Sequence, residues 1–419
     1  MDTAENYEVK DISLAEQGKL NIELAESRMG SLMEVKERFE KEKPLEGIRI
    51  GLALHVTKET AALVRTLIAG GAEIAITGCN PLSTQDDVAS SLAKDGVKTW
   101  AYKGETNEDY YKYLNKIIDF KPHITIDDGC DLVSEIHKNH SDLIPEIIGG
   151  CEETTTGIIR LRAMEKDNAL KYPVIAVNDN KTKHLFDNFY GTGQSTMDGI
   201  LRASNVLIAG KTVVVVGYGS CGKGVALRSA GMGANVIVTE VDNFRALQAV
   251  YDGYRVMPME EAAKIGDIFI TVTGNKNVID KHHIKHMKEN VILANAGHFD
   301  AEINLKGIKE DSEVKQIRPF KEEYTIEGKK IFILGEGRLI NLAAAEGHPS
   351  EVMATSFCGQ ALACEFIAKN KGKLDNKVII LPEDIDDEIA RLQLESLGIK
   401  IDKLTDEQEK YLSSWQEGT

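Results

Sequence analysis

Thr212-Val-Val-Val-Val-Gly217-Tyr-Gly219-Ser-Cys-Gly222-Lys-Gly224 precedes a helix-like stretch that runs into Asn235-Val-Ile-Val-Thr-Glu240. The run of β-branched residues reads as a buried strand and the glycines as a tight turn into a helix. Gly217, Gly219 and Gly222 stand at the G-x-G-x-x-G spacing. In that pattern one glycine makes the sharp turn, one lets backbone N–H groups approach a pyrophosphate, and one lets helix and strand pack closely. Glu240 closes the second strand, where a carboxylate accepts hydrogen bonds from ribose hydroxyls and repels a 2′-phosphate. The stretch predicts a dinucleotide-binding unit that takes NAD rather than NADP. Arg245, close by, is the residue that would instead suit a phosphate.

The unit sits deep inside the chain, with other α/β sequence on both sides. A length of 419 residues suggests two or three domains. Sixty-six acidic residues against fifty basic ones give a net charge of −16, which argues against a nucleic-acid surface or an anionic membrane and favours a small-molecule substrate. The N-terminal residues show neither a basic region nor an apolar core, and no run is long and apolar enough to span a bilayer. Six scattered cysteines without a C-x-x-C pair read as reduced thiols, and a cytoplasmic location is expected.

Before the glycine turn, residues 15–43 carry a helical period that stops near Pro44. Strand signals follow at Ile48–Leu54, Glu73–Thr77, Lys98–Ala101, His123–Asp127 and Val174–Asn178. Helices are expected at Glu59–Gly70, Thr84–Lys94 (with Thr84 as cap), Asn107–Ile118 and Thr156–Glu165. After the turn, strands are suggested at Val236–Thr239, Ile268–Thr271, Val291–Ala294 and Lys330–Leu334. A helix at Pro349–Lys369, a strand at Lys377–Leu381 and an amphipathic helix from Asp386 to Trp415 complete the pattern. This alternation predicts an α/β protein with two parallel sheets. A Rossmann domain (191–348) is inserted into a substrate-binding domain (1–190 and 349–385), and a helical tail (386–419) follows. A ligand would sit in the cleft at the carboxyl ends of the strands.

Polar side chains gather just past those strand ends: His55, Thr57, Glu59 and Thr60; Asp127, Asp128 and Asp131; Glu152, Glu153 and Thr154–Thr156. Asn178, Asp179, Lys183, Asp187 and Asn188 follow, then Asn295-Ala-Gly-His298, Asn341 and His348. Singly each has an ordinary reading as a turn or cap residue, and Asp127-Asp128-Gly129 alone is a turn. Their concentration at the ligand-binding face is what points to a site. His282-His283-Ile-Lys-His286 reads as a solvated helix end, and no metal site is expected.

Several of these segments are distinctive together: His55-Val-Thr-Lys-Glu-Thr-Ala61, Asn80-Pro-Leu-Ser-Thr-Gln-Asp-Asp87, Glu152-Glu-Thr-Thr-Thr-Gly157, Phe186-Asp-Asn-Phe-Tyr-Gly191, Asn295-Ala-Gly-His-Phe-Asp300, Gly337-Arg-Leu-Ile-Asn341 and Gly347-His-Pro349. In this order, nearly end to end, they resemble S-adenosylhomocysteine hydrolase in its shorter archaeal and thermophile-like form. The resemblance implies a homotetrameric enzyme that retains NAD and reversibly cleaves S-adenosylhomocysteine to adenosine and homocysteine. Oxidation of the 3′-hydroxyl acidifies C4′–H, the thiol is eliminated, water adds, and the ketone is reduced.

The resemblance further implies that Lys183 and Asp187 handle the 3′-hydroxyl proton, with Lys183 a base of depressed pKa. Asp131 moves the C4′ proton and His55 serves the thiol and water at C5′. Glu153 and Thr154 hold the ribose, while His298 and Asn188 support the ketone. Thr57, Glu59 and Thr60 face the purine, with Glu346 near it, and His348 closes over the ligand. Thr154, Thr155, Thr156, Asn188, Gly217, Gly219, Gly222, Glu240, Arg245, Asn275, Asn295, Ala296, Gly297 and Asn341 are expected around NAD. The chain departs from the family's usual pattern at three places. Arg245 replaces a common Asn, Glu346 replaces a common Met, and Trp415-Gln-Glu-Gly-Thr419 lacks the Lys and Tyr of the eukaryotic-type tail, so that any tail contact would run through Lys410 and Tyr411. The alternatives are the same chemistry on S-inosylhomocysteine, or an NAD-dependent dehydrogenase of a nucleoside-like substrate. Glu59, as an acceptor for the adenine amino group, favours adenosine over inosine.

Overall fold

The computed structural model describes residues 1–416. Its nine-stranded sheet has the spatial order Asp2–Ala4, Tyr7–Val9, Lys98–Ala101, Glu73–Thr77, Arg49–Ala53, Ile124–Asp127, Gly149–Glu152, Val174–Ala176, Val378–Ile379. All neighbours pair in parallel except the first two. The last strand comes from residues far along the chain and pairs Val378 with Val174. Helix Ser350–Lys369 buries Phe357, Cys358, Ala361 and Ile367 in the core of the same sheet.

A second sheet of eight strands has the order Arg255–Val256, Asn235–Thr239, Thr212–Val216, Ile268–Thr271, Val291–Asn295, Lys329–Leu334, Lys321–Ile326, Ser312–Arg318. The first six are parallel and in the doubly wound order, with the direction of winding reversing beside Thr212–Val216. Val213 and Val215 enter one core and Val214 and Val216 the other, so this strand is buried on both faces. The fold is α/β with two mainly parallel sheets. No helix among the described residues is long and apolar enough to cross a membrane.

Local expectations differ from the structure at instructive places. Residues 15–43 are two helices, Ala15–Glu26 and Gly30–Glu42, because Met29 leaves the helical region to bury its side chain. Thr84 does not cap its helix, which starts at Asp86 after Gln85. The C-terminal stretch is also broken, into Glu383–Ser396 and Asp406–Leu412, with Gly398 at φ +67° between them. The last three residues of the expected tail lie outside the described residues. His283 is not solvated. It is buried, and its Nδ1 accepts from the Asp280 N–H at 3.1 Å, closing a capping box on Lys281–Ile284.

Candidate active site

The carboxyl ends of both sheets open into one cavity of about 980 Å³. His55, Thr57, Glu59 and Thr60 reach it from the turn after Arg49–Ala53. Thr57 is the N-cap of helix Lys58–Ala69, accepting from Thr60 N at 3.4 Å, and Thr60 Oγ1 donates to the His55 carbonyl at 2.6 Å. The same side chains therefore start the helix and face the cavity. Glu59 is only 2% exposed and accepts from Ser350 Oγ at 2.7 Å.

Strand Ile124–Asp127 ends in two left-handed residues, Gly129 at φ +104° and Cys130 at φ +67°. This sharp turn sends Asp128 and Asp131 to opposite environments. Asp128 enters the cavity between two imidazoles, 3.4 Å from His55 Nε2 and 3.4 Å from His298 Nδ1. A Cβ on Gly129 would lie 2.3 Å from His298 Nε2, so the turn and the histidine fit only with glycine there.

Asp131 is not among the cavity-lining residues. It opens helix Asp131–Asn139, accepting from Arg160 at 2.6 Å and from the Tyr110 hydroxyl at 2.9 Å. Asp131, expected to move the C4′ proton, thus lies outside the cavity lining, and the carboxylate of this turn that enters the cavity is Asp128. Beneath this turn, the adjacent strand ends Asp127 and Glu152 accept from backbone N–H groups of Asp128, Val133, Gly129 and Thr154. Burial pushes the Asp127 carboxyl up to about 7 and raises that of Glu152.

Lys183 stands on the short helix Lys181–His184 and is buried. Its ammonium donates to Asn188 Oδ1 at 2.7 Å and to Asn178 Oδ1 and Asp187 Oδ1 at 3.3 Å, with Glu153 at 3.5 Å. Burial alone would lower its pKa, but Asp187 and Glu153 outweigh that and hold it above the ordinary lysine value. The expectation of a depressed lysine is corrected on this ground. Burial raises a carboxyl, yet Lys183 and His348, 3.2 Å away, hold Asp187 below the usual range. Glu153 is fixed by Ser356 Oγ at 2.6 Å and Gln360 Nε2 at 2.5 Å, and burial raises its pKa. His55 is pushed down to about 4 by burial, against the opposing pull of Asp128.

At the other end of the cavity, Gly217 takes φ +105° at the end of its strand, and Gly219 precedes helix Ser220–Gly231. A Cβ on Gly222 would sit 2.1 Å from the Gly217 carbonyl oxygen, which explains the glycine of helix–strand packing. Glu240 accepts from Tyr218 N and from Val241 N, both at 2.7 Å, and so ties the two strand ends together. Exposed N–H groups at a helix N-terminus, an open face at Gly219 and an acid at the second strand end fit a dinucleotide. Thr154–Thr156, Asn188, Arg245, Asn275, Ala296, Gly297, Asn341 and His348 all line the same cavity.

Besides Asp131, three expected site residues do not line the cavity. Gly222 packs behind the turn. Asn295 is fully buried and donates to the Gly297, Phe299 and Gly337 carbonyls, bracing the His298 loop. Glu346 does not line the cavity; its carboxylate is at the surface, 3.0 Å from Lys58 Nζ and 3.5 Å from Arg202.

A dinucleotide cradle and a cluster of acid–base side chains sharing one cavity define an enzyme that performs chemistry beside a bound nicotinamide cofactor. A model described as "S-adenosyl-L-homocysteine hydrolase, NAD binding domain" matches residues 188–347, and one described as "S-adenosyl-L-homocysteine hydrolase" matches residues 6–143. The chain is 60% identical over 99% of its length to all of an S-inosyl-L-homocysteine hydrolase of Methanocaldococcus jannaschii. It is 59% identical over 99% of its length to all of an adenosylhomocysteinase of Sulfolobus acidocaldarius, and 55% identical over its whole length to all of one from Thermococcus kodakarensis. The chain belongs to the S-adenosyl-L-homocysteine hydrolase family, and its cofactor is NAD.

Proposed function

We propose that the protein reversibly hydrolyses S-adenosyl-L-homocysteine to adenosine and L-homocysteine while retaining NAD. One observation carries the reading: the Lys183–Asp187 network and the Asp128–His55–His298 cluster open into the same cavity as the glycine turn. Gly217, Gly219, Glu240 and Asn341 would hold NAD, which would supply reversible hydride acceptance at the ribose C3′, so no net oxidation would result. Lys183, held among Asp187, Glu153, Asn178 and Asn188, passes a proton to Asp187 as it takes that of the 3′-hydroxyl, and both protons retrace their paths on the return. Asp128 removes and restores the C4′ proton. His55 protonates the departing thiolate and takes a proton from the water that replaces it. His298 steadies Asp128, Glu153 and Thr154 hold the ribose, and His348 fixes Asp187.

Purified protein given adenosine and homocysteine should form the thioether without net consumption of nicotinamide. Accumulating reduced nucleotide with an oxidised nucleoside would mean a dehydrogenase instead. Relatives named for the inosyl and adenosyl substrates lie at 60% and 59% identity, so identity does not choose the base. The chemistry of Glu59 favours adenine, whose amino group donates, over hypoxanthine, whose O6 would face a carboxylate. The mismatch is worth about 1–3 kcal/mol, roughly ten- to a hundredfold in kcat/KM. Inosine outperforming adenosine would overturn the base assignment and leave the reaction type standing. We further propose a cytoplasmic homotetramer with an inserted cofactor domain over 191–348. Exposed Val241, Phe244 and Tyr251 supply apolar surface for such assembly, and sedimentation measures it.

A further inference from the structure

We propose that Ser83 is a positioning residue for the chemistry at C5′: its hydroxyl donates to the Asn80 carbonyl and accepts from His55 Nδ1–H, and so fixes the tautomer whose Nε2 faces the cavity. The proposal rests on the reading of His55 as the acid–base group there. Ser83 is 3% exposed, and its Oγ lies 2.7 Å from His55 Nδ1 and 3.1 Å from the Asn80 carbonyl oxygen. His55 Nε2, the other ring nitrogen, points toward Asp128 and the cavity.

A serine hydroxyl has one proton and can also accept. Its proton goes to the Asn80 carbonyl, so Ser83 accepts from Nδ1–H and the neutral ring keeps Nε2 bare toward the cavity. When the ring is the imidazolium, Nδ1–H still donates to Ser83, and it is the Nε2 proton that faces the cavity. Each half of the 5′ reaction therefore ends with every hydrogen bond made. The proton lost by His55 goes to the thiolate, and the one it regains comes from water, so Ser83 itself gains and loses none.

The device matters because the site is hostile to the cation. His55 is partly buried in the cavity wall. The titratable groups facing it are Asp128 and Asp187, which favour the charged form, and His298 and His348, which oppose it. A hydrogen bond from the imidazolium is charge-assisted and stronger than one from the neutral ring. Removing Ser83 thus costs the cation more than the neutral base.

The test uses the intact enzyme with bound NAD. Ser83→Ala should slow thiol release from S-adenosylhomocysteine roughly ten- to a hundredfold. Its pH profile should move to lower pH by about one unit. Reduction of bound cofactor by adenosine should stay within about twofold of wild type, since that step does not use His55. Ser83→Thr, which restores a hydroxyl, should recover most of the loss. Thiol release at the wild-type rate, an unmoved pH profile, or equal loss in both steps would each overturn the role of Ser83. Failure of cofactor reduction in the unmutated enzyme would instead overturn the underlying reaction.

Discussion

Asp128 and Asp131 carry the same carboxylate on one short turn, yet Asp128 faces two histidines in the cavity while Asp131 is occupied by Arg160 and Tyr110. Asp128→Asn should therefore leave reduction of bound cofactor by adenosine intact but abolish exchange of the C4′ proton with solvent, read by deuterium incorporation. Asp131→Asn should keep exchange within about tenfold of wild type, its loss acting only through the Arg160 contact. Lys183→Met should stop cofactor reduction itself, followed by absorbance of the reduced nicotinamide, because it removes the ammonium and leaves Asp187 and Glu153 facing each other. Most site side chains were legible in the sequence because they follow strand ends, where this class of fold binds ligands. The choice between Asp128 and Asp131 was not legible, because it depends on two successive left-handed residues, one of them the non-glycine Cys130. The raised pKa of Lys183 was equally hidden, since Glu153 reaches it only through the tertiary fold.

Among the elements, the glycine-turn strand and its helix were read correctly because β-branched runs and glycine spacing are local signals. Strand Gly149–Glu152 was missed: two glycines and a cysteine have poor strand propensity, and only burial between two neighbours makes the segment extended. The hairpin Ser312–Ile326 was missed because its charged residues lack a clean alternation. Close packing of elements yields a sharper expectation. A Cβ on Gly224 would lie 1.9 Å from the Phe189 carbonyl oxygen, on the π-helical turn Asp187–Gly191. Gly224→Ala should push that turn, and with it Asp187 and Asn188, and cut kcat/KM at least tenfold while circular dichroism stays near wild type. The loop after Lys98–Ala101 offers a pH test. Burial pushes the Glu105 carboxyl up to about 8, so the folded chain keeps this proton to higher pH than the unfolded chain does. Its contribution is complete below the ordinary carboxylate value and is lost as pH rises through 8, by on the order of a few kcal/mol. Glu105→Gln cannot ionise, and its melting temperature should fall less than that of wild type between pH 5 and 9.

On the scale of the whole molecule, Glu346 joins Lys58, beside the first sheet, to Arg202, on the helix Thr192–Ser204 that packs on the second. Its pairs are largely solvent-exposed, and such contacts contribute about 0–1 kcal/mol. Glu346→Met should accordingly shift the ratio of kcat/KM for adenosine and inosine by less than about threefold, whereas Glu59→Gln, inside the cavity, should shift it tenfold or more. The two-sheet plan was visible in the alternation of strand and helix signals, but the partner of the last strand is a long-range pairing that no local pattern encodes. That pairing has a consequence for how the protein is made. Val174–Ala176 leaves the ribosome long before Val378–Ile379 and the helix Ser350–Lys369 that complete its side of the sheet. At translation rates of about 5–20 residues per second, the nascent chain carries an open, apolar sheet edge for roughly ten to forty seconds. Through that interval the second sheet can fold to completion, while the first still offers its edge for pairing with another newborn chain.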